Sequence, residues 1–560
     1  MSNQPWWRHA VIYQVYPRSW ADADGDGVGD LPGITARLPH LADLGVDALW
    51  LSPFYVSPQH DGGYDVADFR DVDPLFGTLD DADALVARAH ELGLRVVVDV
   101  VPNHTSSEHA WFRAALAAAP GSPERARYVF RPGRGADGSE PPNNWVSKFG
   151  GPAWTRTTDP DGTPGDWYLH LFDSSQPDLD WTNPEVREEL QSVLRFWLDR
   201  GVDGFRIDVA HGLVKAEGLP DADLTIDETR ERSSALPMWD QPGVHDVYRS
   251  WRTLVDGYAG TLFDVWQHDD DRMLCGEAWV QPAEALAAYV RPDELHQTFN
   301  FSFLLTPWDA GALRTAVDEG LASAGSVGAP QTWVLSNHDV VRHATRLGRS
   351  DATTTVITEG IGPDDEQPDA VLGLRRARAA TTVMLALPGS AYLYQGEELG
   401  LPDAIDLPED VLQDPTWERS GHARRGRDGC RVPVPWESEG PSLGFGPGEP
   451  WLPQPAVYAE LAPPRQRGVE GSTLELYRRL LRTRRALGLG TGTLRWLDTG
   501  HDDVLAFAVL DDADEPLAHV HLNLGDAPVD LPAGDVLAAS GDLPAGTLPT
   551  DTAVWSRPVA

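Results

Sequence analysis

Three carboxylates in this 560-residue chain stand beside arginine, histidine or tryptophan at the ends of short apolar runs. They are Asp208 in Gly204–His211, Glu277 in Gly276-Glu277-Ala278-Trp279, and Asp339 in Asn337-His338-Asp339. In the first, Phe205, Ile207 and Val209 alternate with Arg206 and Asp208, which is the period of a strand. The arginine and the aspartate therefore point the same way. A lone pair of this kind is commonly a structural salt bridge. Here it lies at the C-terminal end of a strand, where parallel α/β folds place their chemistry. The arginine would also hold the aspartate ionised, the state a carboxylate nucleophile needs. Hydrolysis of an acetal such as a glycosidic bond needs a proton donor for the leaving oxygen and a carboxylate under the anomeric carbon. A third acid can bind sugar hydroxyls and stabilise the oxocarbenium-like state. One such acid is often structural; three, each at a strand end, are hard to explain as packing.

The elements that must gather these acids are legible in order. Val11–Tyr16, Val46–Leu51 and Leu94–Asp99 read as strands, with helices at Ile34–Leu44 and Asp80–Leu92 between them, each closed by a glycine. Strand–helix alternation predicts a parallel sheet. From Thr105 to about Asp173 the rhythm breaks into a Pro/Gly/Trp-rich stretch too long for a loop, which predicts a small inserted domain. A helix capped by Asn183-Pro184 runs to Arg200 and leads into the Arg206–Asp208 strand. Met273–Ala278, His296–Phe303, Thr332–Ser336 and Ala391–Gln395 supply the remaining strands, with a helix at Leu372–Leu387. Eight strands with polar residues at their C-termini predict a (β/α)₈ TIM barrel, an α/β fold. Residues 396–471 are irregular, Ser472–Leu487 is a last helix, and short strands such as Val504–Val509 and His519–Leu524 follow. The expected organisation is barrel 1–104, inserted domain 105–173 after the third strand, barrel 174–488, and an all-β C-terminal domain 489–560.

Composition narrows the partners. The net charge of -41 repels phosphate backbones and anionic lipid, which excludes nucleic acid and membrane surfaces and suits a neutral small molecule. Only two lysines occur, Lys148 and Lys215. Cys275 and Cys430 cannot form a disulfide framework or a zinc site. No apolar signal core or long apolar run appears, so the expected location is cytoplasmic. No organic cofactor is implied. The loop Asp22–Asp30 places carboxylates at alternate positions among glycines, the pattern that wraps a hard cation in oxygen ligands. Its spacing matches the opening of an EF-hand loop, although Gly33 stands where the closing glutamate would be. Crowded aspartates repel one another unless neutralised. A structural Ca²⁺, or Mg²⁺, held by Asp22, Asp24, Asp26, the Val28 carbonyl and Asp30 is one reading; a solvated acidic loop is the other.

Four segments carry a resemblance. Asp-Val-Val-Pro-Asn-His (99–104), Gly-Phe-Arg-Ile-Asp (204–208), Gly-Glu-Ala-Trp (276–279) and Ser-Asn-His-Asp (336–339) look like the ordered signatures of the α-amylase family of glycoside hydrolases, family 13. The inserted domain and the β C-terminal domain fit that family. The resemblance implies that Asp208 is the nucleophile, Glu277 the general acid/base and Asp339 the transition-state stabiliser. It implies sugar contacts from Tyr64, Asp65, His104, Arg206 and His338, and retention of α configuration, for which nucleophile and acid stand about 5–5.5 Å apart.

Within the family, the Asp22–Asp30 loop and Gln176-Pro177-Asp178-Leu179 resemble the α-glucosidase and oligo-1,6-glucosidase branch, adding Gln176 to the implied sugar contacts. Asp180 follows where that branch usually has Asn, which is closer to α-amylases. Asn103 occupies a position that helps bind calcium in many α-amylases. Arg431, in Cys-Arg-Val-Pro-Val-Pro-Trp, looks like the arginine of the branch's Arg-Thr-Pro-Met-Gln-Trp segment and adds a further contact. His211 lines the pocket rim or caps a turn, and Trp279 is either packing or a sugar platform.

The expected activity is an exo-acting α-glucosidase on short α-glucosides. Val209 after the nucleophile resembles α-1,6-acting members; Ala210-His211-Gly212 resembles bacterial enzymes acting on maltose-type substrates and tips the expectation to α-1,4. A transglucosylase or sucrose isomerase would use the same acids. A non-catalytic binding subunit would lack the full acid set.

Overall fold

The computed structural model describes residues 4–159, 161–226, 233–258, 271–350 and 358–558. Eight parallel strands form one sheet that curls into a barrel. In chain order they are Val11–Val15, Ala48–Leu51, Arg95–Val100, Gly204–Ile207, Met273–Gly276, Gln297–Thr298, Thr332–Val334 and Ser390–Tyr394. Around the barrel they run sixth, fifth, fourth, third, second, first, eighth, seventh. At the seam between the sixth and seventh strands, the Asn300 N–H donates to the Thr332 carbonyl at 3.0 Å.

Side-chain alternation divides each strand between two cores. Ile12, Ala48, Trp50, Val97, Met273, Cys275, Val334 and Tyr392 pack together in one cluster. Val96, Val98, Phe205, Ile207 and Leu274 belong to another, shared with Val193, Leu194 and Trp197 of the helix Pro184–Asp199. Arg206 thus shares its face with the first cluster, and the register pairs it with Asp99 on one side and Cys275 on the other.

Local chemistry sets the helix ends. Asp30 caps the helix Leu31–Leu44, accepting from the Gly33 N–H at 2.6 Å, and Gly45 closes it at φ 100°. Thr78 and Asp81 form a capping box at the start of Leu79–Glu91. Ser472 caps Thr473–Leu487, which Gly488 ends at φ 68°.

The sixth strand is shorter than the sequence suggests. It covers only Gln297–Thr298, because the Asn300 side chain accepts from the Phe303 N–H at 3.0 Å and starts a helix at Phe301–Leu305. The helix read as Leu372–Leu387 spans Ala370–Met384, started by the Asp369 carboxylate.

The stretch after the third strand carries the helix Ala110–Ala117 and a three-stranded antiparallel sheet of Phe130–Arg131, Pro164–Leu169 and Trp154–Thr158. Its Trp145, Trp154 and Leu171 form one core with Val209, Met238 and Trp239 from the segment after the fourth barrel strand. The inserted unit is thereby fastened beside Asp208. At the C-terminal end, Thr493–Trp496, Val504–Leu510, Pro516–Asn523, Thr552–Ser556 and Val536–Ala539 form a five-stranded antiparallel sheet. Trp555 anchors it to the barrel by donating its indole N–H to the Thr382 carbonyl at 2.8 Å. Among the described residues, no helix is long and apolar enough to cross a membrane.

Candidate active site

Main-chain bonds carry the barrel ladder one step past the strand ends. The Asp208 N–H donates to the Val100 carbonyl and the Glu277 N–H to the Ile207 carbonyl, both at 2.9 Å. These bonds hold the two acids on adjacent strands. Arg206 then links them. Its Nη1 lies 2.8 Å from Asp208 Oδ1 and 2.9 and 3.0 Å from the two oxygens of Asp99, while Nη2 bonds Glu277 Oε2. Val209 follows Asp208 with φ 45°, an unusual conformation for a β-branched residue, and its N–H faces Glu277 Oε2 at 3.4 Å. The other oxygen of Glu277 accepts from the Trp279 indole N–H at 3.0 Å, and that ring stacks on Phe301 at 4.0 Å.

One guanidinium therefore serves three carboxylates. Burial pushes Asp99 up to about 7 and Asp208 well above the usual carboxylate range, with Arg206 pulling both back and the neighbouring acids pushing them further. Asp99 and Asp208 therefore keep a proton to higher pH than isolated acids would: burial outweighs the arginine that was expected to hold Asp208 ionised.

Asp339 is the opposite case. Burial raises its carboxyl, but the adjacent His338 ring and the charges of Arg427, Arg431 and Arg206 outweigh that and hold it well below the usual range. Its Oδ1 accepts from Arg427 Nη1 at 3.0 Å and Arg431 Nη2 at 3.1 Å, and its Oδ2 lies 3.1 Å from His338 Nε2. The side chains of Asp208, Glu277 and Asp339 retain 9, 13 and 25 % exposure, so all three remain reachable from solvent.

The surrounding residues form a continuous network. The Tyr64 hydroxyl donates to Asp99 Oδ2 at 3.0 Å, and its ring lies parallel to His338 at 5.0 Å. His104 Nε2 lies 3.2 Å from the Tyr64 carbonyl and 3.1 Å from Gln176 Nε2; burial pushes its ring down to about 4, so it is neutral. Gln176 Nε2 also reaches Asp61 Oδ2 at 3.0 Å, and Arg431 Nε donates to the His338 carbonyl at 2.8 Å.

The chain as a whole is similar to known proteins. A profile described as the alpha amylase catalytic domain matches residues 14–489. The chain belongs to the α-amylase family of glycoside hydrolases. A probable alpha-glucosidase of Rhizobium meliloti is 40 % identical over 518 residues, which is 89 % of this chain and 86 % of that protein. An oligo-1,6-glucosidase of Halalkalibacterium halodurans is 35 % identical over 82 % of this chain and 80 % of its own. Among solved structures, the alpha-glucosyl transfer enzyme XgtA matches with TM-score 0.81 and 36 % identity, covering 99 % of this chain and all of that one. The trehalulose synthase MutB of Pseudomonas mesoacidophila matches with TM-score 0.82 and 30 % identity over 99 % and 100 %. Within the α-amylase family the chain falls in the α-glucosidase and oligo-1,6-glucosidase branch.

Against the family signatures, several residues lie elsewhere than the sequence suggested. Asp65 is turned into its own loop: Oδ1 accepts from Ser57 Oγ at 2.9 Å and the Asp61 N–H at 3.1 Å, and Oδ2 from the His60 N–H at 2.9 Å. It shapes the loop, and the acid that loop presents is Asp61. Arg427 bridges Asp61, at 2.7 Å, to Asp339, and its guanidinium lies over the Phe149 ring. Burial raises Asp61 to about 6, with Arg427 and Arg431 drawing it down. Both lie near residues the resemblance implied as sugar contacts, Asp61 three before Tyr64 and Arg427 four before Arg431. His211 packs against Trp239 at 4.8 Å, and burial pushes its ring down to about 3.

The calcium-type position at Asn103 is filled by the chain itself. The Lys215 ammonium lies 2.8 Å from Asn103 Oδ1, 2.7 Å from the Gly212 carbonyl and 2.7 Å from Asp178 Oδ2. In the acidic loop, carboxylate oxygens of Asp22, Asp24 and Asp30 lie within 4.8 Å of one another. Asp26 is outside this group: its Oδ1 accepts from the Val28 N–H at 2.8 Å and closes a local turn. Asp30 divides its oxygens between the helix cap and the N–H groups of Ala23 and Asp24.

Proposed function

We propose that the chain is a retaining, exo-acting α-glucosidase that releases glucose from the non-reducing ends of α-1,4-linked maltose and short oligosaccharides. The observation that carries this reading is the Arg206 fork. By joining Asp208 to Glu277 through the two nitrogens of one guanidinium, it favours the narrow separation of a double displacement over the wider gap that leaves room for a water. Asp208 attacks the anomeric carbon and forms a glucosyl ester. Glu277 protonates the departing oxygen and then, as a base, takes a proton from the water that cleaves the ester. Asp339, held ionised by its cations, accepts bonds from sugar hydroxyls and stabilises the developing positive charge. The Asp61–Arg427–Asp339 bridge supports the exo reading, since it ties two loops together across the site, as a closed end to the substrate channel would require.

Initial rates of glucose release from maltose and isomaltose measured side by side test the linkage. Faster maltose cleavage is expected; faster isomaltose cleavage would overturn the α-1,4 assignment and make Val209, in contact distance of Glu277 through its N–H, the determinant. A second reading is favoured by the full-length matches to an alpha-glucosyl transfer enzyme and a trehalulose synthase. In that case a sugar hydroxyl attacks the same ester, and sucrose at high concentration yields isomers or longer glucosides in place of free glucose.

We also infer that Asp22, Asp24 and Asp30 hold a structural Ca²⁺. Three hard oxygen donors within reach of one ion fit that metal, or Mg²⁺. Bound at about 100 times its Kd, it would add about 2.7 kcal/mol to stability. Excess EDTA is therefore expected to lower Tm by about 2 °C, with recovery on adding Ca²⁺; an unchanged Tm contradicts the metal.

A further inference from the structure

We infer that Gln14, at the end of the first barrel strand, is a positioning residue that keeps the proton of His338 on Nε2 and so aims an N–H donor at Asp339. The inference rests on the reading of Asp339 as the stabilising carboxylate. Gln14 interrupts the apolar run Val11–Val15, and only 1 % of it is exposed. Its Nε2 lies 2.7 Å from His338 Nδ1 and 3.1 Å from Ser52 Oγ. A short contact between an amide and an imidazole nitrogen has two solutions, depending on the ring tautomer and the amide orientation.

The far side of the ring selects between them. His338 Nε2 lies 3.1 Å from Asp339 Oδ2, while Arg427 and Arg431 both bond Oδ1 of the same carboxylate. That carboxylate is ionised and accepts only, so Nε2 must carry hydrogen. Two forms of the ring satisfy this, the neutral Nε2–H tautomer and the imidazolium. The surroundings disfavour the imidazolium. Burial opposes the charge, Asp339 favours it, and Arg431, Arg206 and Arg427 oppose it again. Tyr16 and Tyr64 lie parallel to the ring at 5.9 and 5.0 Å, and Trp50 meets its edge. What remains is a neutral ring with a lone pair on Nδ1, and the amide NH₂ of Gln14 is the donor that meets it. The Ser52 hydroxyl accepts from the same amide nitrogen. Without this donor the Nδ1–H tautomer becomes available. In it, the Nε2 lone pair faces the Asp339 carboxylate, and the acid loses a bond on the oxygen its arginines do not reach.

Neutron diffraction on the wild-type enzyme at neutral pH in D₂O reads the tautomer directly. Deuterium on Nε2 and none on Nδ1 is expected; deuterium on Nδ1 overturns the inference. This readout does not depend on turnover, so it separates from a failure of the catalytic reading, which would appear as wild-type kcat in Asp339→Asn. Kinetics add a second arm. Gln14→Met should lower kcat roughly tenfold, the value of one hydrogen bond, with the pH profile unchanged. Gln14→Glu places a carboxylate at Nδ1 and draws a proton there. It is expected to gain a new alkaline limb in kcat at about pH 6–8, as the imidazolium loses its Nε2 proton in favour of Nδ1–H. Equal losses in both variants with the wild-type pH profile would mean a merely structural Gln14 and overturn the inference.

Discussion

Asp208→Asn is expected to lower kcat on maltose by about 10⁴-fold while leaving the folded state in place. Losses on this scale follow when a group that acts as part of a catalytic unit is removed. Asn retains the volume and one acceptor for Arg206 but cannot form the glucosyl ester. Folding should tolerate the change, because Arg206 keeps Asp99 and Glu277 as partners and the cluster is relieved of one of three crowded carboxylates. Glu277→Gln separates the two steps. It should cost about 10²–10⁴-fold on maltose, whose leaving oxygen needs a proton. On a glucosyl donor with an acidic phenol as leaving group it should cost far less for formation of the ester. Near-wild-type turnover of maltose by either variant, measured by glucose release, would sink the assignment of both roles.

Lys215→Met is expected to destabilise the protein by about 3–5 kcal/mol, the penalty for stranding one member of a buried ion pair. The Asp178 side chain is fully buried, and among the described residues its donors besides Lys215 are neutral: the Leu171 N–H at 2.8 Å and Asn103 Nδ2 at 3.1 Å. Lys215 also ties Asn103 to the Gly212 carbonyl, and so joins the third strand's loop to the segment after Asp208. Removing the ammonium therefore leaves an uncompensated carboxylate and frees the wall behind the nucleophile. Thermal unfolding reads the loss. Asp178→Asn with Lys215→Met in the same chain should recover most of it, because neither charge then remains; a single Lys215→Met variant with wild-type Tm would contradict the account.

The barrel was legible because its strands are buried on both faces and its helices carry explicit caps. Asn183 begins its helix as the sequence reading has it, and Asp30, Thr78 and Ser472, which that reading did not assign as caps, begin three others. Arg206 and Asp208 were legible for a simpler reason: alternation along a strand fixes a shared face. The sixth strand was not, since Gln297-Thr298-Phe299-Asn300-Phe301 reads as β-branched and aromatic until the Asn300 cap is seen to open a helix. The loops were least legible. Asp65 stands next to Tyr64, yet its carboxylate is consumed by three donors from residues 57–61, a local turn that periodicity does not encode. Asp61 and Arg427 come from loops 366 positions apart, and only the folded barrel brings them together. Gln14 left a signal that could have been read, a single amide at the C-terminal end of an otherwise apolar strand. The acidic loop was read as four aspartates and the Val28 carbonyl; carboxylate oxygens of three of the aspartates, Asp22, Asp24 and Asp30, gather within 4.8 Å, while Asp26 bonds the Val28 N–H.

The central claim is that Asp208 and Glu277 act as nucleophile and acid in a double displacement, and the anomer of the first product tests it most directly. Proton NMR of the hydrolysis of an aryl α-glucoside, whose leaving group is not glucose, recorded before mutarotation, resolves the anomeric signals of the released glucose. Glucose in the α form from the earliest spectra, with β appearing only as mutarotation proceeds, is the predicted result. Initial release of β-glucose would mean a single inversion by water, and would contradict both the ester on Asp208 and the role given to the Arg206 fork.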